Sequence, residues 1–217
     1  ISDGLFIMGY NYQWSGSSTS GPTSPLTGSG YTLTWTVNDY LNKTNNQTDK
    51  LILGVPYYGY EWPTETNQPG SQTTGSGSAE FYAEMEGRAL SYGKLWHESS
   101  QTPWYRYENP NWIQGWYDDS LSLSLKYDFS MDNNLKGIGM WALGYDGSNS
   151  ELWNLLYAKF GDEPDPDIYV AQDTLDFGEV AEDSTVSLPL VIINIGIDNL
   201  EIEEVEFGMG DESPFST

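Results

Sequence analysis

Apolar residues follow three rhythms along this chain, and each rhythm predicts a different element. Leu5-Phe-Ile-Met-Gly-Tyr10, Leu51-Ile-Leu-Gly-Val-Pro56 and Gly137-Ile-Gly-Met-Trp-Ala142 are short apolar runs without alternation. Such runs suit strands buried on both faces, as in a parallel sheet covered by helices. Helical spacing follows in four places: about Thr34 to Asn42, Ala79 to Ser91, Ser120 to Asn133 and Glu151 to Phe160. In the third, Leu121, Leu125 and Phe129 recur every four residues, one face of a helix. Between the second and third buried runs lie short aromatic stretches, Lys94 to Glu98, Trp104 to Glu108 and Trp112 to Tyr117, separated by Pro and Asn. They predict a small antiparallel sheet. The order is β-α-β, a small inserted α+β unit at about 63–118, then α-β-α. Strand-then-helix repetition implies an α/β domain with a parallel sheet.

Past residue 160 the rhythm becomes polar–apolar alternation in short runs: Ile168-Tyr-Val170, Val186 to Ile195 and Leu200 to Phe207. That alternation predicts part of an all-β antiparallel sandwich over 168–217. Charge marks the same boundary. Residues 161–217 hold 16 of the 32 acids and none of the 8 bases. The stretch Gly161-Asp-Glu-Pro-Asp-Pro-Asp167 has two prolines and four acids, which predicts a stiff, solvated linker over 161–167. Its acids do not by themselves make a calcium site, which needs oxygens converging on a shaped loop.

Net charge narrows the partners. A formal charge of -24 argues against a phosphate-backbone partner and against docking on anionic lipid. No apolar run is long enough to predict a membrane span; Leu188 to Ile197 is interrupted by Pro189, Asn194 and Gly196. The absence of Cys excludes disulfides, thiolate metal sites and thiol nucleophiles. A single histidine, His97, argues against a multi-histidine metal site and a Ser-His-Asp triad. No metal and no cofactor is expected. The 9 Trp and 16 Tyr exceed what a core of this size calls for, and flat aromatic faces suit sugar rings.

Three words carry a resemblance. They are Met8-Gly-Tyr-Asn-Tyr-Gln-Trp14, Leu51 to Trp62 with Tyr58-Gly-Tyr60 inside it, and Gly137-Ile-Gly-Met-Trp-Ala-Leu-Gly-Tyr-Asp146. In this order, with an aromatic-rich insertion between the second and third, residues 1–160 resemble strands six to eight of a glycoside hydrolase family 18 barrel. This is the chitinase-like family, and the Tyr58-Gly-Tyr60 form is similar to its bacterial peptidoglycan-acting branch. The resemblance implies the last three strands of a (β/α)8 barrel, with the site at the strands' C-terminal ends. It implies hydrolysis of β-1,4-linked N-acetylglucosamine polymers, chitin or peptidoglycan, in which the substrate's own acetamido oxygen is the nucleophile. The family's Asp-x-x-Asp-x-Asp-x-Glu motif, whose Glu is the general acid, has no copy in these residues. The expectation is therefore a piece of a longer exported or cell-surface bacterial hydrolase, inactive and unstable or self-associating by itself, that carries binding residues without the proton donor.

The family motif maps the acetamido-binding tyrosine onto Tyr10 and the sugar-floor tryptophan onto Trp141. Asn11 stands where the family commonly has Asp, which keeps a hydrogen-bonding side chain and removes a charge. Tyr60 and Trp62 are expected to line the cleft. Two readings of other classes stay open. Asn11 motivates a non-catalytic, lectin-like sugar binder, and the acidic tail motivates a surface-anchoring segment. The tail words Leu175 to Val180, Ile193 to Gly196 and Leu200 to Ile202 resemble an immunoglobulin-like domain of the ASPM/SPD-2/Hydin type.

Overall fold

The computed structural model describes residues 2–161, 168–170, 174–194 and 200–202. The chain divides into two units, Ile1–Lys159 and Phe160–Thr217. The three apolar runs become β1 (Leu5–Met8), β2 (Leu51–Pro56) and a later strand, Gly137–Trp141. They form one parallel sheet with β2 in the centre. Register runs from Leu5 opposite Leu51 to Met8 opposite Gly54, and from Ile52 opposite Gly137 to Pro56 opposite Trp141.

Helices cover one face. Helix α1 (Leu33–Lys43) starts at Thr32, whose hydroxyl accepts the Trp35 amide at 3.2 Å. Leu33 and Val37 of α1 join Ile7, Leu51, Leu53 and Val55 in one core. Aliphatic side chains of alternate strand positions meet the apolar stripe of the helix, so each element buries what the other would expose.

A second, antiparallel sheet grows directly from β2. Its strands are β3 (Tyr58–Thr64), β4 (Ser78–Phe81), β5 (Leu95–His97), β6 (Thr102–Glu108) and β7 (Trp112–Trp116), in spatial order β4-β3-β7-β6-β5. Helix α2 (Tyr82–Tyr92) packs against β6 and β3. The expected insertion at about 63–118 therefore begins at Tyr58, and the helix expected from Ala79 begins at Tyr82. Ser78–Phe81 instead pairs with Tyr58–Glu61 of β3, and ladder hydrogen bonds outweigh the local helical spacing there. The stretch Lys94 to Glu98 contributes only the short β5.

The chain returns through α3 (Ser120–Asp132) to β8, the strand Gly137–Trp141, and then forms α4 (Glu151–Phe160). Asp119 caps α3: its carboxylate accepts the Ser122 amide at 3.0 Å, while the Ser122 hydroxyl accepts the Asp119 amide. Next to it, Asp118 forms an ion pair with Lys126 in which both side chains are sealed from water.

Double-sided burial holds for β2 and fails at the sheet's edges. Leu5, Phe6 and Met8 of β1 are 38%, 45% and 70% exposed, and Trp141 of β8 is 54% exposed. Each of these strands has β2 as its only described neighbour, so the face away from the helices has little to cover it. Phe6 lies across this face. A side-chain carbon at Gly54 or Gly139 would fall 2.3 or 2.5 Å from its ring, so both positions need glycine to let the ring lie flat.

In the second unit, β9 (Ile168–Val170) pairs antiparallel with β10 (Ile192–Asn194). Of the run expected from Val186 to Ile195, the described residues, 186–194, form a strand only at Ile192–Asn194. Pro189 lacks the amide that a ladder requires. No second sheet occurs among the described residues here, so the immunoglobulin-like sandwich finds no support beyond this one pair. Most of the 161–167 linker and the run to Phe207 beyond Ile202 lie outside the described residues.

Candidate functional site

All three parallel strands point their C-terminal ends the same way, and the chain turns outward there. Tyr10 follows β1 by two residues, Tyr57 follows β2, and Trp141 ends β8. The ladder continues past the strands: Gly9 N–H donates to Gly54 at 3.0 Å and Tyr57 N–H to Trp141 at 2.8 Å. Tyr10 and Trp141 thus emerge at the same edge of one sheet, with the exit of β2 between them.

Asn11 is held by two tyrosines of β3. The Tyr58 hydroxyl donates to Asn11 Oδ1 at 2.6 Å, and the Tyr60 hydroxyl to the same oxygen at 3.2 Å. Asn11 has φ +62°, a left-handed conformation that Asn adopts more readily than most residues. Tyr10 meets Tyr58 edge-on at 6.1 Å, and Tyr58 meets Tyr60 edge-on at 5.8 Å. Burial pushes the hydroxyls of Tyr10, Tyr58 and Tyr60 above the ordinary tyrosine value, Tyr58 most. All three therefore stay protonated at neutral pH and can donate.

Trp141 presents a half-exposed indole at this edge. Its carbonyl is engaged by Tyr57, so the backbone is fixed while the ring is free. Beside it, Phe81 stacks on Tyr145 with ring centroids 4.1 Å apart, and Tyr145 packs on the cluster of Tyr58 and Tyr60. The edge is a surface of aromatic faces with hydroxyl and amide groups at their margins. Such a surface binds a flat, polar-rimmed ring.

The structure corrects one site residue. Trp62 has no exposed surface, so it cannot line a cleft. It lies against Tyr60 at 5.4 Å, and its indole N–H donates to the Trp14 carbonyl at 3.2 Å. Tyr60 is 9% exposed and acts here through its hydroxyl. Trp104 and Trp116 stack at 5.2 Å inside the inserted sheet's core, and Tyr105 is buried as well. His97 packs edge-on against Trp116 and pairs with the Ser100 hydroxyl.

Three residues of the edge escape a reading of the sequence: Tyr58, Phe81 and Tyr145. Strand periodicity was the available signal for Tyr58, since it shares a face of β3 with Tyr60. A separate open cavity of about 500 Å³ lies elsewhere, lined by Tyr12, Gln13, Tyr31, His97 and Ser99 among others. None of Tyr10, Asn11 and Trp141 contributes to it. Among the described residues no group of three or more His, Cys, Asp or Glu could hold a metal ion, and no helix is long and apolar enough to cross a membrane.

The sequence model of "Glycosyl hydrolases family 18" matches residues 1–146. Human di-N-acetylchitobiase is 31% identical over 189 residues, covering 72% of this chain and 47% of that protein. The GH18 chitinase of Cycas revoluta in complex with (GlcNAc)3 superimposes with a TM-score of 0.66 at 21% identity, over 73% of this chain and 47% of the other. The chitinase-like agglutinin of Robinia pseudoacacia gives 0.61 at 21% identity, over the same shares. The two solved structures support the fold alone. The chain spans about half the length of the relatives it matches.

Proposed function

The chain belongs to glycosyl hydrolases family 18, and from that premise we propose that it forms the sugar-binding half of a glycosidase acting on β-1,4-linked N-acetylglucosamine polymers, chitin or peptidoglycan. One observation carries the reading: Asn11, clamped by the Tyr58 and Tyr60 hydroxyls, sits beside Tyr10 at the strand-end edge where the exposed indole of Trp141 emerges. In the family's reaction a general acid protonates the leaving glycosidic oxygen while the substrate's acetamido oxygen attacks the anomeric carbon; water then opens the intermediate. Tyr10 would donate to the acetamido oxygen, Trp141 would floor the sugar ring, and Asn11 would add a further polar contact. Their contribution is orientation, which brings the internal nucleophile into line. We assign the proton donor to none of these residues and place it in chain outside these 217. A polymer of this size does not cross membranes, so the proposal includes an exported or cell-surface location. For residues 168–217 an accessory β-sandwich remains our proposal, on the tail's sequence words and the β9–β10 pair.

The whole protein should bind (GlcNAc)3 in calorimetric titration. Trp141→Ala and Tyr10→Phe should each weaken binding by roughly tenfold, the worth of a lost stacking face or hydrogen bond to a ligand. No binding by the wild type, or unchanged binding by both variants, would overturn the assignment. A second reading, a sugar binder without turnover, is favoured by Asn11 in place of the family's Asp. Binding without release of shorter sugars from chitin or peptidoglycan would select it.

A further inference from the structure

We infer that Tyr58, assisted by Tyr60, is a positioning residue that turns the Asn11 amide so that its nitrogen, not its oxygen, faces the ligand. This inference rests on the reading of the strand-end edge as the sugar site and goes beyond it by assigning the donor and acceptor sense of one contact.

A carboxamide has one oxygen with two lone pairs and one nitrogen with two N–H donors. In this protein both hydroxyls approach the oxygen, Tyr58 at 2.6 Å and Tyr60 at 3.2 Å. The shorter distance is an O–H···O length and lies below the usual N–H···O range, so the oxygen is the atom that meets Tyr58. With its lone pairs occupied, the oxygen has little left to offer a ligand. Asn11 Nδ2 has no partner among the described residues, and Asn11 is an exposed residue. The Tyr10 hydroxyl next to it also has no described partner. Two neighbouring side chains therefore present N–H and O–H donors at one edge. They recognise a ligand through an acceptor oxygen, such as an amide carbonyl or a sugar hydroxyl.

The arrangement is built into the fold. Tyr58 is 8% exposed, wedged between Tyr10 and Tyr60, so its hydroxyl has little freedom to swing away from Asn11. The left-handed backbone at Asn11 belongs to the loop after β1, whereas both tyrosines come from β3. An aspartate here would offer only acceptors to the ligand, whatever the tyrosines did. The tyrosines become orienting devices only because position 11 is an amide with two unlike ends.

The test is a double-mutant cycle in the whole protein, titrated with (GlcNAc)3. Tyr58→Phe removes one oxygen and keeps the ring, so folding is checked by an unchanged melting temperature. It should lower affinity about three- to tenfold, and Asn11→Ala roughly tenfold. The pair Asn11→Ala with Tyr58→Phe should be no worse than Asn11→Ala alone, because Tyr58 acts only through Asn11. A nuclear magnetic resonance readout separates positioning from packing. The Asn11 side-chain NH2 signals, assigned by their loss in Asn11→Ala, should shift on adding (GlcNAc)3 in the wild type and shift less in Tyr58→Phe. Additive effects in the cycle, or NH2 signals indifferent to the sugar, would overturn the inference. If Tyr10→Phe and Trp141→Ala weaken binding while Tyr58→Phe does not, this inference fails and the sugar site stands. If the wild type does not bind (GlcNAc)3, both fall together.

Discussion

The backbone amide of Tyr57 donates to the carbonyl of Trp141 at 2.8 Å, one step beyond the last paired residues of β2 and β8. This bond fixes the backbone of Trp141 without using its indole, which stays 54% exposed. Position and function are thereby separable at this residue. Trp62 is the opposite case: an indole with no exposed surface inside the inserted sheet.

Stability should discriminate the two tryptophans. Trp62→Ala removes a fully buried ring and should cost about 3–5 kcal/mol in denaturant unfolding. Trp141→Ala should cost clearly less, about 1–2 kcal/mol, since about half of its surface already faces water, while it weakens sugar binding. Equal costs for the two would show that the exposed indole is covered in the whole protein.

The buried pair Lys126 and Asp118 gives a second prediction. Lys126 lies against Asp118 with no accessible surface on the lysine, and Asp118 Oδ2 has no hydrogen-bond partner among the described residues. Lys126→Met should destabilise by about 3–5 kcal/mol, because it leaves an uncompensated buried carboxylate. Lys126→Met combined with Asp118→Leu should recover most of that loss, since both desolvation penalties vanish together. Unfolding midpoints of the two variants check this; a double variant as weak as the single would refute it.

His97, the sole histidine, should titrate below its ordinary 6.5, because partial burial disfavours the imidazolium. The unfolded chain then binds a proton at a pH where the folded protein does not. Stability contributed by neutral His97 is therefore present above about 6.5 and declines as pH falls through the lower folded value. A single imidazole resonance followed against pH reports the folded value directly. His97→Gln should flatten this part of the melting-temperature profile.

Gly59 of β3 tests the packing of the inserted sheet. A side-chain carbon there would stand 2.1 Å from the Trp116 carbonyl oxygen and 2.6 Å from Met85 Sδ. Backbone of the neighbouring strand cannot yield as a flexible side chain does. Gly59→Ala should cost at least about 2 kcal/mol, toward the upper end for overpacked cores. A loss of unfolding free energy under about 0.5 kcal/mol would mean that β3 and β7 move apart almost freely.

Much of the architecture was legible because its cues are local. The span Leu51–Pro56 matches the structure, and α1, α3 and α4 lie within about a residue or two of their helical spacing. Residues 58–64 hid a strand because Tyr58-Gly-Tyr-Glu-Trp-Pro-Thr64 follows directly on the apolar run of β2, and it holds Gly59 and Pro63, residues that a strand interior usually avoids. Ser78–Phe81 carried helical spacing but had a strand partner far back in the chain, which no local pattern reveals.

The three buried runs, the helical spacing of α1, α3 and α4, the aromatic excess, the missing cysteines and the words around Tyr10, Asn11 and Trp141 were determined by the sequence alone. Composition is counted over the whole chain, and each run and word is set by residues within a few positions of each other. Tertiary structure decided which aromatic rings reach water and which hydroxyl meets which amide. Tyr58 touches Asn11 from 47 positions away along the chain, and Trp62 is buried by a loop and strands that lie far from it along the chain. Burial and hydrogen-bond partnership are set by what packs alongside, and only folding brings such distant segments together.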